Sequence, residues 1–314
     1  MSLHLIPASR RRFVQASLAT AAVTLGCPWL MAATDESADQ SADYWALLAD
    51  THIAANKDAV SRGVNMFDNL NKIIDELLAE ENKPLGVIIN GDCARLRGRP
   101  GDYATLRIAL DRITAAGLPI HMTMGNHDDR DPFYAAFKKQ KPDAALVDGK
   151  HVAIVPGRHA NLFLVDSLNI VNEVSGKLGE TQLQWLAKSL AEHRDKTAIV
   201  IGHHNPQFLP EGSTAEGSGL SDTAKFIDVL HSQPHVQAYF YGHTHNWNRN
   251  KTSGGVHLIN QPPCAYVFNA KHPNGWVRLK VQDESLAVEL RALNKQHTQH
   301  GESHTLEHRF AAVS

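Results

Sequence analysis

The sequence predicts an α/β domain in which strands and helices alternate along the chain and pack in layers. Five apolar runs of strand length each end in polar residues, and helical patterns lie between these runs. Three later segments alternate apolar and polar residues, as half-exposed strands do. With 314 residues, 43% of them hydrophobic and 20% charged, the chain can bury a large core as one or two domains. It is therefore expected to be globular.

The first predicted element is an export signal over residues 1–33. The triplet Arg10-Arg11-Arg12, followed by Phe13, precedes a weakly apolar run over residues 16–33 that ends in small residues. This order resembles a twin-arginine signal. An ordinary secretory signal and an uncleaved membrane anchor are the alternatives. The resemblance implies a periplasmic or secreted protein, the twin-arginine export machinery as a partner, and no stable membrane association after cleavage.

The five predicted strands are each followed directly by residues that carry chemistry. The strands are predicted at residues 44–49, 84–89, 118–124, 197–201 and 236–241. The residues that follow them are Asp50-Thr51-His52, Asn90-Gly91-Asp92, Gly125-Asn126-His127-Asp128, Gly202-His203-His204 and Gly242-His243-Thr244-His245. Because the carboxyl ends of such strands open onto one crevice, we expect the five polar ends to converge on a single site.

The remaining elements are predicted from the spacing of apolar residues. Apolar residues three and four positions apart indicate helices at residues 67–79, 183–190 and 223–230. The alternating segments at residues 255–260, 275–281 and 286–290 are expected to form a second sheet packed on the first. Residues 296–314 are polar and rich in histidine, and are predicted to be a disordered or loosely docked C-terminal tail.

The side chains at the strand ends are of the types that bind divalent metal ions. Each has an ordinary explanation when taken alone, such as a helix cap for Asp50 or a turn for Asn90-Gly91-Asp92. Together they supply enough carboxylate, amide and imidazole groups for two ions that share one carboxylate. Asp92 is the natural shared ligand, because its strand lies between the others in sequence order and Gly91 lets the backbone approach closely.

In this order, the motifs resemble those of the calcineurin-like binuclear metallophosphoesterases. The motifs are Asp50-x-His52, Gly91-Asp92, Gly125-Asn126-His127-Asp128, His204-Asn205-Pro206 and Gly242-His243-Thr244-His245. The resemblance spans about residues 43–295 and implies a catalytic domain at residues 34–295. It also implies an α/β fold of four layers, an αββα sandwich of two mixed β-sheets flanked by helices. The implied cofactors are two ions of Fe, Mn, Zn or Co.

The same resemblance implies a set of metal ligands. One ion would be bound by Asp50, His52, Asp92 and His245, and the other by Asp92, Asn126, His204 and His243. Only one of the adjacent His203 and His204 can point into the site from an extended strand. The ligand in this family usually stands two residues before a proline, so Pro206 favours His204, and His203 would face away or support the site.

This ligand set implies hydrolysis of a small phosphoester. Two divalent ions would activate a bridging hydroxide for attack on phosphorus. His127, held by Asp128 or by a backbone carbonyl, would act as a general acid towards the leaving oxygen. Arg130 would either bind a phosphate oxygen through its forked donors or cap the turn at Asp131-Pro132.

A phosphodiester is the preferred substrate, because Asp128-Asp129-Arg130 is closest to bacterial class III cyclic-nucleotide phosphodiesterases and glycerophosphodiesterases. A phosphomonoesterase, or phosphatase, on the same centre is the first alternative, since it would differ only in the walls of its pocket. A non-catalytic metal-binding protein is the second, suggested by the four histidines within residues 297–308, but such a protein would need neither Asn126 nor an unligated His127. The formal net charge of -2 and the lack of a long basic run argue against nucleic acid as a partner.

Overall fold

Neighbouring side chains of the central strands face two different cores. In β1 (Asp43–Ala49), Trp45 and Leu47 point into a core between two sheets, whereas Ala46 and Leu48 point into a core beneath helices. A strand that is apolar on both faces is what a sheet covered on both sides requires. The computed structural model describes residues 43–208, 217–283 and 285–309, so the predicted signal at residues 1–33 lies outside the described part.

The first sheet contains β1 and five further strands, which are β4 (Gly86–Asn90), β5 (Ile120–Thr123), β12 (Gly275–Val281), β13 (Ser285–Ala292) and β14 (Ser303–Glu307). Their order in the sheet is β14-β13-β12-β1-β4-β5. Strands β1, β4 and β5 are parallel, and β12, β13 and β14 add to β1 in antiparallel fashion.

The second sheet also has six strands, which are β6 (Ala153–Pro156), β7 (Ala160–Leu164), β8 (Thr197–Ile201), β9 (Val236–Tyr241), β10 (Asn248–Lys251) and β11 (His257–Asn260). Their order in the sheet is β10-β11-β9-β8-β7-β6. The four central strands are parallel, and the strand at each edge pairs in antiparallel fashion.

Helices cover the outer face of each sheet. Helices α1 (Met66–Ala79) and α2 (Pro100–Ala115) pack on the first sheet, together with the short α3 (Arg130–Ala136). Helices α4 (Glu180–Glu192) and α5 (Thr223–His231) pack on the second. The layers are therefore helix, sheet, sheet, helix, and the predicted αββα sandwich is confirmed. Within the described parts of the chain, no helix combines the length and apolarity needed to cross a bilayer.

The three late segments do not form the sheet of their own that the sequence predicts. β11 pairs with β9 in the second sheet, whereas β12 pairs with β1 and, with β13, extends the first sheet. The five strands that precede the predicted ligands are divided between the two sheets, with β1, β4 and β5 in the first and β8 and β9 in the second. The carboxyl ends of these strands nevertheless lie side by side. A hydrogen bond between the sheets, from Asn90 Nδ2 to the Gly202 carbonyl at 3.0 Å, marks this meeting point.

The predicted C-terminal tail also differs from the structure in its described part. β14 forms the edge of the first sheet, pairs with β13 and buries Leu306 against the core between the sheets. An edge strand presents few side chains to the core, so its sequence is polar even though its backbone is paired. A second unpredicted feature is a small hairpin of β2 (Val60–Ser61) and β3 (Val64–Asn65), whose tip holds Arg62.

Candidate metal centre

The backbone turns sharply at the ends of β1, β4 and β9. Seven non-glycine residues of the described chain have a positive φ, and five of these belong to the predicted ligand set. The left-handed conformation costs about 1–2 kcal/mol for a residue with a side chain, and such strain collects at functional sites. The five residues are Asp50 (52°), His52 (46°), Asp92 (47°), His243 (67°) and His245 (53°).

Three motif glycines leave room for the ligand side chains. A Cβ atom on Gly125 would overlap Asp92 Oδ1, and one on Gly242 would overlap Asp50 Oδ2. Gly91, at a φ of 70°, lies against the Cβ of His203. The glycines of the sequence motifs are therefore needed because the backbone of one strand end touches the carboxylate or imidazole of another.

The first group of possible ligand atoms comes from Asp50, His52 and His245. The Nε2 atoms of the two histidines are 3.0 Å apart, and His245 Nε2 lies 3.4 Å from Asp50 Oδ1. Both rings donate through Nδ1 to backbone carbonyls, His52 to Arg95 at 3.3 Å and His245 to Tyr266 at 2.5 Å. Each Nε2 therefore presents a lone pair to the same point, as a metal ion requires.

The second group comes from Asp92, His203 and His243. His203 Nε2 lies 3.3 Å from Asp92 Oδ2, and its Nδ1 donates to the Asn90 carbonyl at 2.9 Å. Asn126 Oδ1 and His203 Nε2 are buried and have no hydrogen-bond partner among the described residues. Buried polar atoms without partners are rare, and a bound cation would satisfy both. Asp92 joins the two groups, because its Oδ2 also lies 3.7 Å from His52 Nε2.

His204 lies in neither of these groups. Its Nδ1 is hydrogen-bonded to Ser167 Oγ at 2.7 Å, and its ring packs against Gly176. Its Nε2 is also buried without a hydrogen-bond partner among the described residues, and its ring centroid lies 4.5 Å from that of His243. Its neighbour His203 stands in the place that the sequence analysis gave to His204. Adjacent residues of an extended segment point in opposite directions, and the spacing to Pro206 carries no information about which of the two faces the first sheet.

Burial keeps three of the imidazoles neutral. It lowers the pKa of His52 to about 3 and the pKa values of His243 and His245 to about 4. A neutral imidazole has the free lone pair that a metal ligand needs. The three side chains are therefore already in their binding form at neutral pH.

His203 differs, because it faces two carboxylates. Burial alone would lower its pKa, but Asp92 and Asp50 raise the pKa of His203 to about 9. Burial raises the pKa of Asp50 to about 7, with Asp92 adding to the effect, whereas His203 holds the pKa of Asp92 well below its usual range. A positive charge beside Asp50 and Asp92 therefore stabilises both carboxylates. A metal ion would supply this charge in place of the proton on His203.

His127 lies beside the two groups, forms a third group of possible ligand atoms with His52 and Asp92, and has its other ring nitrogen hydrogen-bonded. Its Nδ1 donates to the Leu96 carbonyl at 2.8 Å, with the amide of Asn172 at 3.1 Å. Its Nε2 faces Asp92 Oδ2 at 4.0 Å, and 21% of the side chain is exposed. The backbone carbonyl, one of the two partners that the sequence analysis allowed, is the one that orients His127.

Asp128 binds other groups. Its carboxylate accepts hydrogen bonds from the backbone N–H groups of Cys93, Ala94 and Gly125 and from the Tyr103 hydroxyl, at 3.0–3.2 Å. These donors belong to the loops that carry Asp92 and Asn126. Asp128 therefore holds the two loops together, and does not contact the imidazole of His127 in this arrangement.

Arg130 is engaged away from the ligand groups. Its guanidinium donates to both oxygens of the buried Asp166, at 2.7 and 2.9 Å, and to the Leu168 carbonyl at 2.8 Å. In this arrangement it neither points to the ligand groups nor caps the turn at Asp131-Pro132. Its role is to anchor the segment after β7, which leads to Asn172.

The sequence profile of the calcineurin-like phosphoesterase family matches residues 46–247, which include both ligand groups. The chain belongs to this family. Calcineurin-like phosphoesterases with such Asp and His clusters carry a binuclear metal centre, and the residues present fit it, since they offer three neutral imidazoles, two carboxylates and the unpartnered Asn126 Oδ1. The protein is thus a metal-dependent phosphoric ester hydrolase.

Similar proteins include cyclic-nucleotide phosphodiesterases. The 3',5'-cyclic adenosine monophosphate phosphodiesterase CpdA of Escherichia coli (strain K12) is 27% identical over an alignment of 262 positions that covers 78% of this chain and 88% of that protein. A cAMP/cGMP dual specificity phosphodiesterase of Mycobacterium tuberculosis is 28% identical over 67% of this chain and 63% of its own. Among solved structures, a dimetal phosphatase from Danio rerio matches 85% of this chain and 99% of its own, with a TM-score of 0.66 and 16% identity. That structure supports the fold.

Proposed function

We propose that this calcineurin-like phosphoesterase is a phosphodiesterase that opens the ring of 3',5'-cyclic nucleotides. The observation that carries the proposal is the pair of ligand groups joined by Asp92, with His127 Nε2 facing the shared carboxylate. The relatives that cover most of the chain are named as cyclic-nucleotide phosphodiesterases, which supports this substrate over a monoester.

We assign one ion to Asp50, His52, Asp92 and His245, and the other to Asp92, Asn126, His203 and His243. When bound, the two ions would neutralise phosphate oxygens and supply an activated water for attack on phosphorus. The turns at the strand ends direct these ligands, because the left-handed residues and the carbonyl partners of the rings fix their orientations.

His127 would act at the opposite side of phosphorus. Attack by water forms one P–O bond and breaks the bond from phosphorus to a ribose oxygen, which leaves with the electron pair. A protonated His127 would donate the Nε2 proton to that oxygen. Since Nδ1 is tied to the Leu96 carbonyl, Nε2 is the nitrogen that remains free for this transfer.

The proposal includes the location of the enzyme outside the cytoplasm. Residues 1–33, with Arg10-Arg11-Arg12 ahead of an apolar run, would direct the folded protein through the twin-arginine machinery to the periplasm or the medium. The enzyme would then meet its substrate outside the cytoplasm, and it would have no stable membrane association after cleavage.

A panel of substrates tests the proposal. Metal-reconstituted protein would be assayed with cyclic AMP, cyclic GMP, bis(p-nitrophenyl) phosphate, a glycerophosphodiester and p-nitrophenyl phosphate. We expect the highest kcat/KM for the cyclic nucleotides and the lowest for the monoester. A monoester rate above all diester rates would instead identify a phosphatase, and no metal-dependent rate on any substrate would indicate a metal-binding protein.

A further inference from the structure

Two aromatic rings stack on the imidazoles of the first ligand group. Phe268 lies parallel to His245, with ring centroids 4.3 Å apart and an angle of 21° between the planes. Tyr266 lies 5.2 Å from His52 at 24°, and it also contacts His245 at 4.9 Å. Both aromatic residues come from the segment between β11 and β12. They form a column that begins at the metal ligands and leads away from them.

The outer end of this column is exposed to solvent. Phe268 is 55% exposed, although one of its faces stacks on His245. A single exposed apolar side chain needs no explanation on its own. Here, however, the exposed ring of Phe268 stacks on the proposed metal ligand His245, and an arginine lies over the same ring.

Arg62 completes the arrangement from the tip of the β2–β3 hairpin. Its guanidinium carbon lies 4.9 Å from the centroid of Phe268 and 5.9 Å from that of Tyr266. Arg62 is exposed, and in the described part of the chain no carboxylate lies within ion-pair distance of it. We call Arg62, Tyr266 and Phe268 the aromatic shelf.

A cavity of about 410 Å³ opens beside the aromatic shelf, and Arg62 and Phe268 form part of its wall. This volume is within the range of small-molecule sites, about 300–1,000 Å³. The rest of the wall includes polar side chains that can pair with the edge of a heterocycle, among them His272, Asn274 and Asn294. The cavity therefore offers stacking and hydrogen bonding together, one ring contact beyond a metal ligand.

We infer that the aromatic shelf binds the nucleobase of the substrate while the phosphate lies at the metal centre. The inference rests on the proposed function and adds the element that distinguishes a nucleotide from other phosphodiesters. Stacking on an aromatic ring and on a guanidinium accepts any base, because each base has a π-face. The shelf would therefore bind both adenine and guanine nucleotides and disfavour phosphoesters that lack a planar group.

The test compares two ligands with the same phosphate, one with a base and one without. Titration calorimetry of the metal-loaded full-length protein with AMP and with ribose 5-phosphate gives the affinity ratio due to the base. Base stacking of this kind is worth about 1–3 kcal/mol, so we expect AMP to bind about 5- to 150-fold more tightly than ribose 5-phosphate. Arg62→Gln and Phe268→Leu should each reduce the ratio to about threefold or less. Arg107→Gln, at an exposed arginine of α2, should keep the wild-type ratio.

A wild-type ratio near one, or an unchanged ratio in both shelf variants, would overturn the inference. Because Phe268 touches His245, the metal content of Phe268→Leu is measured as well, and Arg62→Gln decides if that variant loses metal. The proposed function fails in a different way. Absence of hydrolysis of every phosphodiester would reject it, whereas the ratio for AMP and ribose 5-phosphate does not depend on turnover.

Discussion

At the scale of single residues, the position of His127 predicts how its loss should affect different substrates. His127→Ala should keep both metal ions, because His127 Nε2 lies as far as 4.0 Å from the proposed ligand atom Asp92 Oδ2. With cyclic AMP, whose leaving group is a poor alkoxide, the rate should fall about 10²–10⁴-fold. With bis(p-nitrophenyl) phosphate the loss should be much smaller, because p-nitrophenolate leaves without a proton. Equal losses on both substrates would show that His127 binds the phosphate and does not protonate the leaving oxygen.

The adjacent histidines give a matched pair of variants. His203→Ala should bind about one metal ion per chain in place of two, because it removes Nε2 from the group with Asp92 and His243. Loss of a side chain that hydrogen-bonds to a metal ligand typically lowers activity or metal affinity about 10–100-fold. Loss of the ligand itself should therefore lower activity at least about 100-fold. His204→Ala, which removes the contact with Ser167, should keep both ions and lose about tenfold or less. Elemental analysis with the reverse pattern would restore His204 as the ligand.

The sequence predicted those residues of the site that act through their side chains, and missed those that act through their backbone. Asp50, Asp92 and the histidines after β9 follow apolar runs, so their types and positions are visible in the sequence. The partners of the rings are backbone carbonyls of Arg95, Leu96 and Tyr266, and any residue type has a carbonyl. The choice between His203 and His204 needed the direction of each side chain, which only the packing of the two sheets provides.

At the scale of elements, the link between α1 and the late strands should be visible in the pH dependence of stability. Burial would raise the pKa of Glu76, but hydrogen bonds from Lys295 and Arg291 bring it below its ordinary value of 4.5. A carboxyl with a depressed pKa stabilises the fold above its unfolded pKa, and this contribution is lost as the pH falls through the folded pKa. Glu76→Gln should therefore lower the free energy of unfolding by about 1 kcal/mol at pH 7, and the difference from wild type should vanish in acid.

Urea unfolding of the wild type, Glu76→Gln and a control at several pH values checks this prediction. The control is Glu192→Gln, because Glu192 forms an exposed pair with Lys188 at 3.9 Å and should contribute little at any pH. A deficit of Glu76→Gln that is the same at pH 7 and in acid would mean that the shape of the side chain matters and its charge does not.

The elements themselves were predictable where their patterns are strong. The helices predicted at residues 67–79, 183–190 and 223–230 lie within or close to α1, α4 and α5. β14 was missed because Leu306 is its only buried residue, and an edge strand needs no apolar period. The pairing of β12 with β1 joins residues that are more than 200 positions apart, and no local pattern reports a contact at that separation.

At the scale of the whole molecule, metal ions should stabilise the fold as well as catalyse. Asp50 and Asp92 are buried at the meeting point of both sheets, and removal of the ions leaves these carboxylates without cations other than a proton on His203. An ion present at 100 times its Kd adds about 2.7 kcal/mol. Chelation should abolish activity, remove about two ions per chain and lower Tm, and added metal should reverse all three effects. Active protein with a single ion by elemental analysis would contradict the binuclear assignment.

The proposed export signal is linked to the assembly of the metal centre. Ligands from both sheets form the two groups, so a complete metal centre exists only after the chain has folded. An exporter that accepts folded proteins would allow the ions to be inserted in the cytoplasm, whereas an exporter of unfolded chains would not. Changing Arg10-Arg11 to Lys-Lys should therefore trap active, metal-filled, full-length protein inside the cell, as measured by fractionation, activity and elemental analysis. Normal export of the variant, with metal acquired outside the cytoplasm, would refute this coupling, while the assignment of the enzyme would stand because it rests on the ligand groups and on the family.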